Sequence, residues 1–324
     1  MARASRWVGT AVARLLPVLL LGFVLFRLLP GDPALALTRG RPATADQLAA
    51  TRHALGLDRP LVTQFVRYLG AVLRGDLGES FEYHRPVWRV LAGGLGPTLL
   101  LAGTATVFAA AIGIATGARA GWRPGGRTDK LSTGTALTLW ATPTFWLGLV
   151  LLVALGVGAG PLPGLFPVAG MRSAVPGAGP PWPALDVAWH LVLPVATLTA
   201  VQYAQYHLIM RASLAAQRGA PYLTLARAKG LRDAGVRDRH AVPNALLPTI
   251  TVLLLNIGVV VSGTVAVEVV FSWPGLGYLA FHALDVPDLP VLHGAFLLLS
   301  AGVVTTTMVA DAVARRFDPR LRPP

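Results

Sequence analysis

Cysteine is absent from the 324-residue sequence, and charged residues make up only 13% of it. Without cysteine, disulfides, thiolate nucleophiles and cysteine-bound metal sites are excluded. A soluble domain carries about 25% charged residues, so this chain has too little polar surface to cover a water-soluble globule. With 54% hydrophobic residues, the sequence predicts an all-α polytopic membrane protein.

The sequence also lacks the motifs of common catalytic and cofactor sites. It has no GxxxxGK[ST] segment, so we expect no ATP bound in a P-loop of this chain. The glycine-rich run at 156–160 follows an apolar segment rather than a strand that leads into a helix, which favours a flexible turn. The seven histidines show no HExxH or comparable ligand spacing, and no Ser-His-Asp motif is found. We therefore expect no catalytic residues, no metal and no cofactor bound by this chain.

Six segments are long and apolar enough to cross a bilayer. Each has about 20 or more residues, the length that a helix needs to cross about 30 Å of hydrocarbon. None alternates with period two, which favours helices over a barrel. The predicted spans are 8–29, 97–118, 131–157, 185–210, 248–271 and 289–314.

The first span also resembles a secretory signal peptide, because an apolar core is followed by the small-residue sequence at 34–36. Arg27 and the Gly-Asp-Pro sequence at 31–33 separate that core from the small residues. We therefore expect the segment to be retained, which gives an even number of spans.

The distribution of basic residues predicts the orientation. The 119–130 loop carries four basic residues and the 211–244 loop seven, whereas the 158–184 loop carries one and the 272–288 loop none. By the positive-inside rule, both termini are predicted to be cytoplasmic. The formal charge of +13 is dispersed between apolar spans, which favours anchoring to anionic lipid over binding of nucleic acid.

Residues 30–96 are predicted to form an extracytoplasmic subdomain between spans 1 and 2. They carry eight basic and six acidic residues, and they exceed the loop length for which the positive-inside rule is reliable. Thr44 followed by Gln47 is a capping-box pattern that predicts a helix start, and Gly56 is a candidate stop. Amphipathic helical stretches follow, including an apolar stripe from Leu61 to Val72.

Several polar residues and glycines lie within the spans. Positions 202, 205 and 206 can share one face of the fourth span, which indicates either helix–helix hydrogen bonding or a water-filled route. The same two alternatives hold for Asn256, and for Glu268 the structural role is favoured. Gly113 and Gly117 form a GxxxG pattern, for which close helix packing is the ordinary explanation. The candidates for a translocation path are Gln202, Gln205, Tyr206 and Asn256.

The polar segment at 221–250 interrupts two apolar runs. Residues 222–229 predict a short helix, and Gly230 stands where a left-handed C-cap is needed. Asp233 favours the start of a second helix, and Pro243 and Pro248 mark the start of the fifth span. The residues alone leave two interpretations open: an elbow lying on the lipid surface, or a docking element for a partner.

These residues carry a family resemblance. ARAKGL followed by RHAVPNALLPTI resembles the EAA loop of ABC-importer permeases, in the form used by dipeptide, oligopeptide and nickel systems. The remaining motifs of that family occur in the same order over nearly the whole chain. They are LLPGDP at 28–33, LGLDRPLVTQFVRYL at 55–69, GDLGES at 75–80, TPTFWLGL at 142–149, VEVVFSWPGLG at 267–277 and FDPRLR at 317–322.

The resemblance implies a type I ABC importer permease fold in a prokaryotic cytoplasmic membrane. It implies an N-terminal tail and first span at 1–29, the subdomain at 30–96, a permease core at 97–314 with the EAA coupling loop at about 221–248, and a cytoplasmic tail at 315–324. The implied partners are a second permease subunit, two cytoplasmic ATPase subunits that hold ATP and Mg²⁺, and an extracytoplasmic substrate-binding protein. The implied ATPase-coupling residues are Ala226, Arg227, Ala228, Lys229, Gly230, Leu231, Asp233 and His240.

The chain departs from the family pattern at a few positions. Thr224 and Leu225 stand where peptide-type relatives usually carry Arg-Thr, and Pro243 replaces a basic residue, so the pairing chemistry with an ATPase is open. The substrate implied is a dipeptide or oligopeptide, with nickel chelates or another small solute as the alternative. A self-contained secondary transporter is a more remote alternative, because it would favour buried acids at span centres or an internal repeat.

Overall fold

The computed structural model describes residues 13–24, 44–54, 58–158, 163–175 and 179–317, and the described part is built of helices. No strand occurs in these residues beyond one isolated bridge between Glu79 and Pro86. This agrees with the predicted all-α class. The helices are α1 (Ala13–Val24), α2 (Ala45–Ala54), α3 (Leu61–Leu73), α4 (Val87–Trp122), α5 (Arg127–Ala141), α6 (Thr144–Leu151), α7 (Pro183–Gln217), α8 (Pro221–Ala228), α9 (Asp233–Val236), α10 (Val242–Gly263), α11 (Val265–Val270), α12 (Leu276–Asp285) and α13 (Leu289–Phe317). π-helical turns follow α6 at Leu152–Val157 and join α9 to α10 at Arg237–Ala241.

Three of the described helices are long and apolar enough to cross a membrane: α4, α7 and the Leu289–Ala310 part of α13. They contain or overlap the predicted second, fourth and sixth spans. A fourth is obtained if the bent pair α5 and α6 counts as one span. The predicted first span lies partly outside the described residues. The predicted fifth span corresponds to α10 and α11, which meet at Thr264. The total of six spans stays a prediction.

The predicted third span is bent rather than straight. Its two arms, α5 and α6 with its π-helical turns, meet at 103°. Pro143 lacks an N–H and disfavours helical geometry in the preceding residue, and Thr142 accordingly has an extended ψ of 128°. Irregular backbone at membrane depth must be covered by protein or water, because lipid cannot satisfy its polar groups. At this break the Thr142 N–H donates to the Leu139 carbonyl at 3.2 Å, and the Thr142 hydroxyl donates to the Thr138 carbonyl at 2.8 Å.

The chain divides into two compact units. One consists of Met1–Thr98 with Pro274–Thr305, and the other of Leu99–Trp273 with Thr306–Pro324. In the first unit, the buried carboxylate of Asp288 accepts hydrogen bonds from the Ser80 hydroxyl and from the backbone N–H groups of Phe81 and Glu82. These bonds hold the loop before α4 against the start of α13.

The capping box predicted for the subdomain is present in the first unit. The Thr44 N–H donates to Gln47 Oε1 at 3.1 Å, and the Gln47 N–H donates to Thr44 Oγ1 at 3.3 Å. These two bonds satisfy backbone donors at the start of α2 that have no partner within the helix. The predicted stop at Gly56 lies outside the described residues.

In the second unit, α4 and α7 are in direct backbone contact along a stripe of glycines. A Cβ added at Gly113 would lie 2.7 Å from the Tyr203 carbonyl oxygen, and one at Gly117 would lie 2.5 Å from that of His207. Gly121, one turn further, meets the backbone of Arg211 in the same way. The close packing predicted for the GxxxG pattern is confirmed, and the stripe extends one glycine beyond it.

Substituting Gly117 with alanine should force α4 and α7 apart, because the added methyl would meet backbone that cannot rotate away. We expect a loss of about 1–3 kcal/mol in unfolding free energy, typical of overpacking, read as a lower thermal midpoint of the purified chain in detergent. Gly103→Ala is the matched control, since it lies in the same helix with nothing within 4 Å of its added Cβ. Alanine there should raise stability by about 0.5–1 kcal/mol. Equal midpoints for the two variants would contradict the tight contact.

Candidate functional site: the 221–248 segment and the helices that carry it

The segment after α7 folds as two helices separated by a glycine. The Gly230 N–H donates to the Arg227 carbonyl at 2.9 Å, and Gly230 has a φ of +78°, which favours glycine. α9 begins three residues later at Asp233. The predicted helix–glycine–helix elbow is therefore confirmed.

π-helical turns connect α9 to α10 without a break. All residues from Arg237 to Ala241 are helical, so the chain runs as one rod from α9 into α10. Val236, Ala241 and Ala245 are buried in one cluster. The first two are five residues apart, a step that a π-helical turn brings onto one face and a regular α-helix does not. The π-helical turns thus align the elbow with the inner face of α10.

The inner face of α8 is fixed to the ends of α4 and α7. Leu223 is fully buried and Ala226 is 6% exposed. Both pack in a cluster with Ala118, Trp122, Met210 and Leu214. Ala226, one of the residues implied for ATPase coupling, therefore faces inward, where its small side chain lets α8 approach its own chain.

Trp122, the last residue of α4, is the main polar anchor of the elbow. Its indole N–H donates to Asp233 Oδ2 at 2.8 Å, and the Arg227 guanidinium carbon lies 5.4 Å from the centre of its ring. Arg123 also contacts Asp233, as an exposed ion pair at 3.4 Å. The hydrogen bonds from Trp122 and Arg123 hold the pKa of Asp233 below its ordinary value. Both helices of the elbow therefore contact one tryptophan that the sequence pattern did not single out.

The outer face of the elbow combines apolar and basic side chains. Leu225 is 59% exposed and Leu231 is 36% exposed. Ala228 and Lys229 are also exposed. Of the remaining predicted coupling residues, Arg227 and Asp233 contact Trp122, and Gly230 forms the turn. His240 lies half-buried in the π-helical turns, where its carbonyl accepts a hydrogen bond from the Asn244 side chain.

An ion pair between a buried carboxylate and a partly exposed guanidinium fixes the end of α7 from which the elbow departs. Arg211 donates to both carboxylate oxygens of Asp129, with 2.8 Å between Nη2 and Oδ2. The Gly125 N–H and the Thr133 hydroxyl also donate to this carboxylate. One turn earlier on α7, the buried ring of His207 hydrogen-bonds Thr116 at 2.9 Å and Thr133 at 3.1 Å. These bonds tie α4, α5 and α7 together directly before the elbow.

The four candidate path residues do not share one environment. Asn256 Nδ2 donates to Gln205 Oε1 at 2.7 Å, which joins α10 to α7. Tyr206 is 1% exposed and packs with Ala109 and Ala136. Gln202 Oε1 is buried and has no hydrogen-bond partner within the described chain. The helix-bonding role is therefore present for Gln205 and Asn256, and Gln202 retains an unsatisfied acceptor.

Glu268 has the structural environment that we favoured. It is fully buried in α11 and accepts a hydrogen bond from Thr264 Oγ1 at 2.9 Å. Thr264 is the residue that joins α10 to α11. The carboxylate therefore stabilises the junction of these two helices.

Replacing Trp122 with phenylalanine should loosen the elbow while α4 stays folded, because the ring is kept and the N–H donor to Asp233 is lost. Since Asp233 is half exposed, we expect the free energy that holds the elbow closed to fall by about 1 kcal/mol. The opening equilibrium of the elbow should then rise roughly fivefold. Limited proteolysis with trypsin after Arg227, Lys229 and Arg232 measures that opening. Trp88→Phe, at an exposed tryptophan elsewhere on α4, is the control. Unchanged cleavage in Trp122→Phe would rule out the anchoring role.

Comparison with known protein families finds two family models that match this chain. The family described as "Binding-protein-dependent transport system inner membrane component" matches residues 87–323. The family described as "Binding-prot-dependent transport system membrane comp, N-term" matches residues 3–102. Together they cover the elbow, its supporting helices and the segment that precedes them.

Curated relatives are similar over nearly their full lengths. The dipeptide transport system permease protein DppB of Escherichia coli (strain K12) is 31% identical over 98% of this chain and 97% of its own length. The glutathione transport system permease protein GsiC of Salmonella paratyphi A is 36% identical over 96% and 95%, and the di/tripeptide transport system permease protein DppB of Pseudomonas aeruginosa is 32% identical over 98% of each. The chain therefore belongs to the inner-membrane permeases of binding-protein-dependent ABC importers.

Proposed function

We propose that this chain is one of two permease subunits that together form the translocation path of an ATP-driven importer for di- and oligopeptides. The observation that carries the proposal is similarity over nearly the full length to permeases named for dipeptide, di/tripeptide and glutathione transport. These names share a substrate class, short peptides, although they differ in the particular peptide. An extracytoplasmic binding protein delivers the substrate, and selectivity rests largely with that protein.

The elbow is the element that we assign to coupling. Its inner face is held by its own chain, which leaves Leu225, Ala228, Lys229 and Leu231 outward. Exposed leucines beside a cation suit a groove with an apolar floor and an acidic rim on a cytoplasmic ATPase. ATP and Mg²⁺ bind on that partner. Leu225, which departs from the family pattern, belongs to this outward face and so contributes to the choice of partner.

Movement of the ATPases reaches the membrane through α9 and α10. Because α9 continues through the π-helical turns into α10, a displacement of the elbow is passed to the fifth span instead of being absorbed in a loop. α10 carries Asn256, which bonds Gln205 on α7. A shift of α10 against α7 changes this contact. We assign the surrounding polar residues, including Gln202 and Tyr206, to the path that opens alternately to each side.

The orientation that we propose has both termini and the elbow in the cytoplasm. The loops with most basic residues, 119–130 and 211–244, then face inward. Residues 30–96 form the extracytoplasmic subdomain, residues 97–314 the core and residues 315–324 a cytoplasmic tail. The subdomain therefore faces the binding protein and the substrate that it releases.

Isolation of the chain from native membranes tests this proposal. A tagged chain purified in mild detergent should bring with it a second permease and P-loop ATPases. The complex in proteoliposomes, supplied with its binding protein, should take up labelled dipeptide only when Mg-ATP is present on the ATPase side. Uptake by the purified chain alone would overturn the proposal in favour of a self-contained transporter. Uptake of a nickel chelate without peptide would overturn the substrate assignment.

A β-branched residue at Gly230 should uncouple ATP hydrolysis from uptake. Valine is strained at a φ of +78°, which displaces the turn between α8 and α9 although no atom lies within 4 Å of the added Cβ. We expect peptide uptake to fall about tenfold or more while the complex still assembles, because strain of about 1–3 kcal/mol is concentrated at the elbow. Uptake and ATPase rates are measured on the same proteoliposomes.

Gly219→Val is the matched control for Gly230→Val. Gly219 is exposed at the other end of α8, with nothing within 4 Å of an added Cβ and no positive φ. It should retain coupled transport. Substrate-stimulated hydrolysis and normal uptake in Gly230→Val would exclude the elbow as the coupling element.

A further inference from the structure

The first compact unit contains a pocket that the coupling mechanism does not use. Its volume is about 250 Å³. The second half of α3, the turn after it and the beginning of α13 form its walls. The lining residues used below are Tyr68, Ala71, Asp76, Leu77, His293 and Leu297. At about 30 Å³ for each water molecule, this volume holds roughly eight waters, which suits one amino-acid residue and not a larger ligand.

One wall of the pocket is a stacked aromatic pair. The rings of Tyr68 and His293 lie 4.9 Å apart with 22° between their planes, and the Tyr68 hydroxyl is 3.0 Å from His293 Nε2. Burial raises the pKa of Tyr68 to about 12, so its hydroxyl stays neutral. Apolar side chains, including Ala71 and Leu297, complete the interior. The wall is therefore aromatic and apolar.

The rim of the pocket carries a carboxylate. Asp76 is exposed, and one of its oxygens accepts a hydrogen bond from the Gly78 N–H at 3.0 Å, which fixes its orientation. Asp76 forms no ion pair with any described residue. Arg74, two residues earlier, has a guanidinium nitrogen near Gly70, one turn back along α3. The negative charge therefore has no counter-ion within the described chain.

We propose that this pocket is a subsite for the primary ammonium group of a substrate peptide, with Asp76 as its counter-ion. The carboxylate pairs with the ammonium, and the apolar wall receives the side chain next to it. This inference rests on the proposed peptide-importer function and deepens it. In the proposed orientation, the pocket lies between the extracytoplasmic subdomain and the outer end of the sixth span, where a peptide leaving the binding protein would first meet this chain.

Binding of small probes to the isolated chain tests the subsite. The full-length chain is placed in lipid nanodiscs without ATP or partners, and saturation-transfer NMR detects bound probe. The three probes are alanyl-alanine, N-acetyl-alanyl-alanine, which has no ammonium, and N-acetyl-alanyl-lysine, whose ammonium is on the side chain. The variants are Asp76→Asn, which keeps the acceptor for Gly78, and Ala71→Phe, which fills the pocket. Asp58→Asn is the control, since Asp58 is an exposed carboxylate of the same unit outside the pocket.

We expect a signal for alanyl-alanine that falls about fivefold in Asp76→Asn and in Ala71→Phe and stays unchanged in Asp58→Asn. N-acetyl-alanyl-alanine should give no signal above empty nanodiscs. Binding of N-acetyl-alanyl-lysine that needs Asp76 would extend the subsite to lysine side chains, and its absence would restrict the subsite to the α-ammonium; both support the proposal. Equal signals from the acetylated and free dipeptides, or an unchanged signal in Asp76→Asn, would overturn it. Because the assay uses neither ATP nor partners, its outcome is independent of whether the chain supports ATP-driven uptake.

Discussion

Backbone contact between α4 and α7 is the constraint on which the second unit depends. Glycines 113, 117 and 121 leave this stripe of α4 without side chains, so the approach of the two helices there is limited by main-chain atoms of α7. At this separation His207 on α7 reaches Thr116 on α4. Trp122 follows the last glycine of the stripe and stands beside the end of α7, where the elbow begins. The close approach of α4 and α7 at these glycines thus sets the position of Trp122, on which the elbow packs.

The ion pair of Asp129 with Arg211 fixes the register of α5 against α7. Hydrophobic packing alone tolerates small shifts of one helix against another, whereas a carboxylate with two guanidinium bonds and two further donors is satisfied in one register. Removing Arg211 would leave the buried carboxylate of Asp129 without its counter-ion, which destabilises this arrangement of helices. The charges are therefore placed where helix register matters most, directly before the segment assigned to coupling.

Local chemistry made much of this structure predictable from the sequence. The capping box at Thr44, the turn at Gly230 and the close packing at Gly117 each follow from residues a few positions apart. The tryptophan anchor does not, because Trp122 and Asp233 are 111 residues apart and no local pattern joins them. The inward position of Ala226 was missed for the same reason. The bend at Pro143 left a signal in the sequence, a proline within an apolar run, but its 103° angle depends on tertiary packing.

The π-helical turns between α9 and α10 hold one residue more than a regular helix would need at this place. An α-helix returns to the same face after four residues, whereas the step from Val236 to Ala241 takes five and still reaches one cluster. Removing one residue between these positions would therefore restore a regular helix and leave Asn256 towards Gln205. If the turns instead tightened into α-helix with every residue retained, the side chains of α10 would rotate by about 100° around its axis. The extra residue thus gives α10 a way to rotate against α7 without breaking its helix.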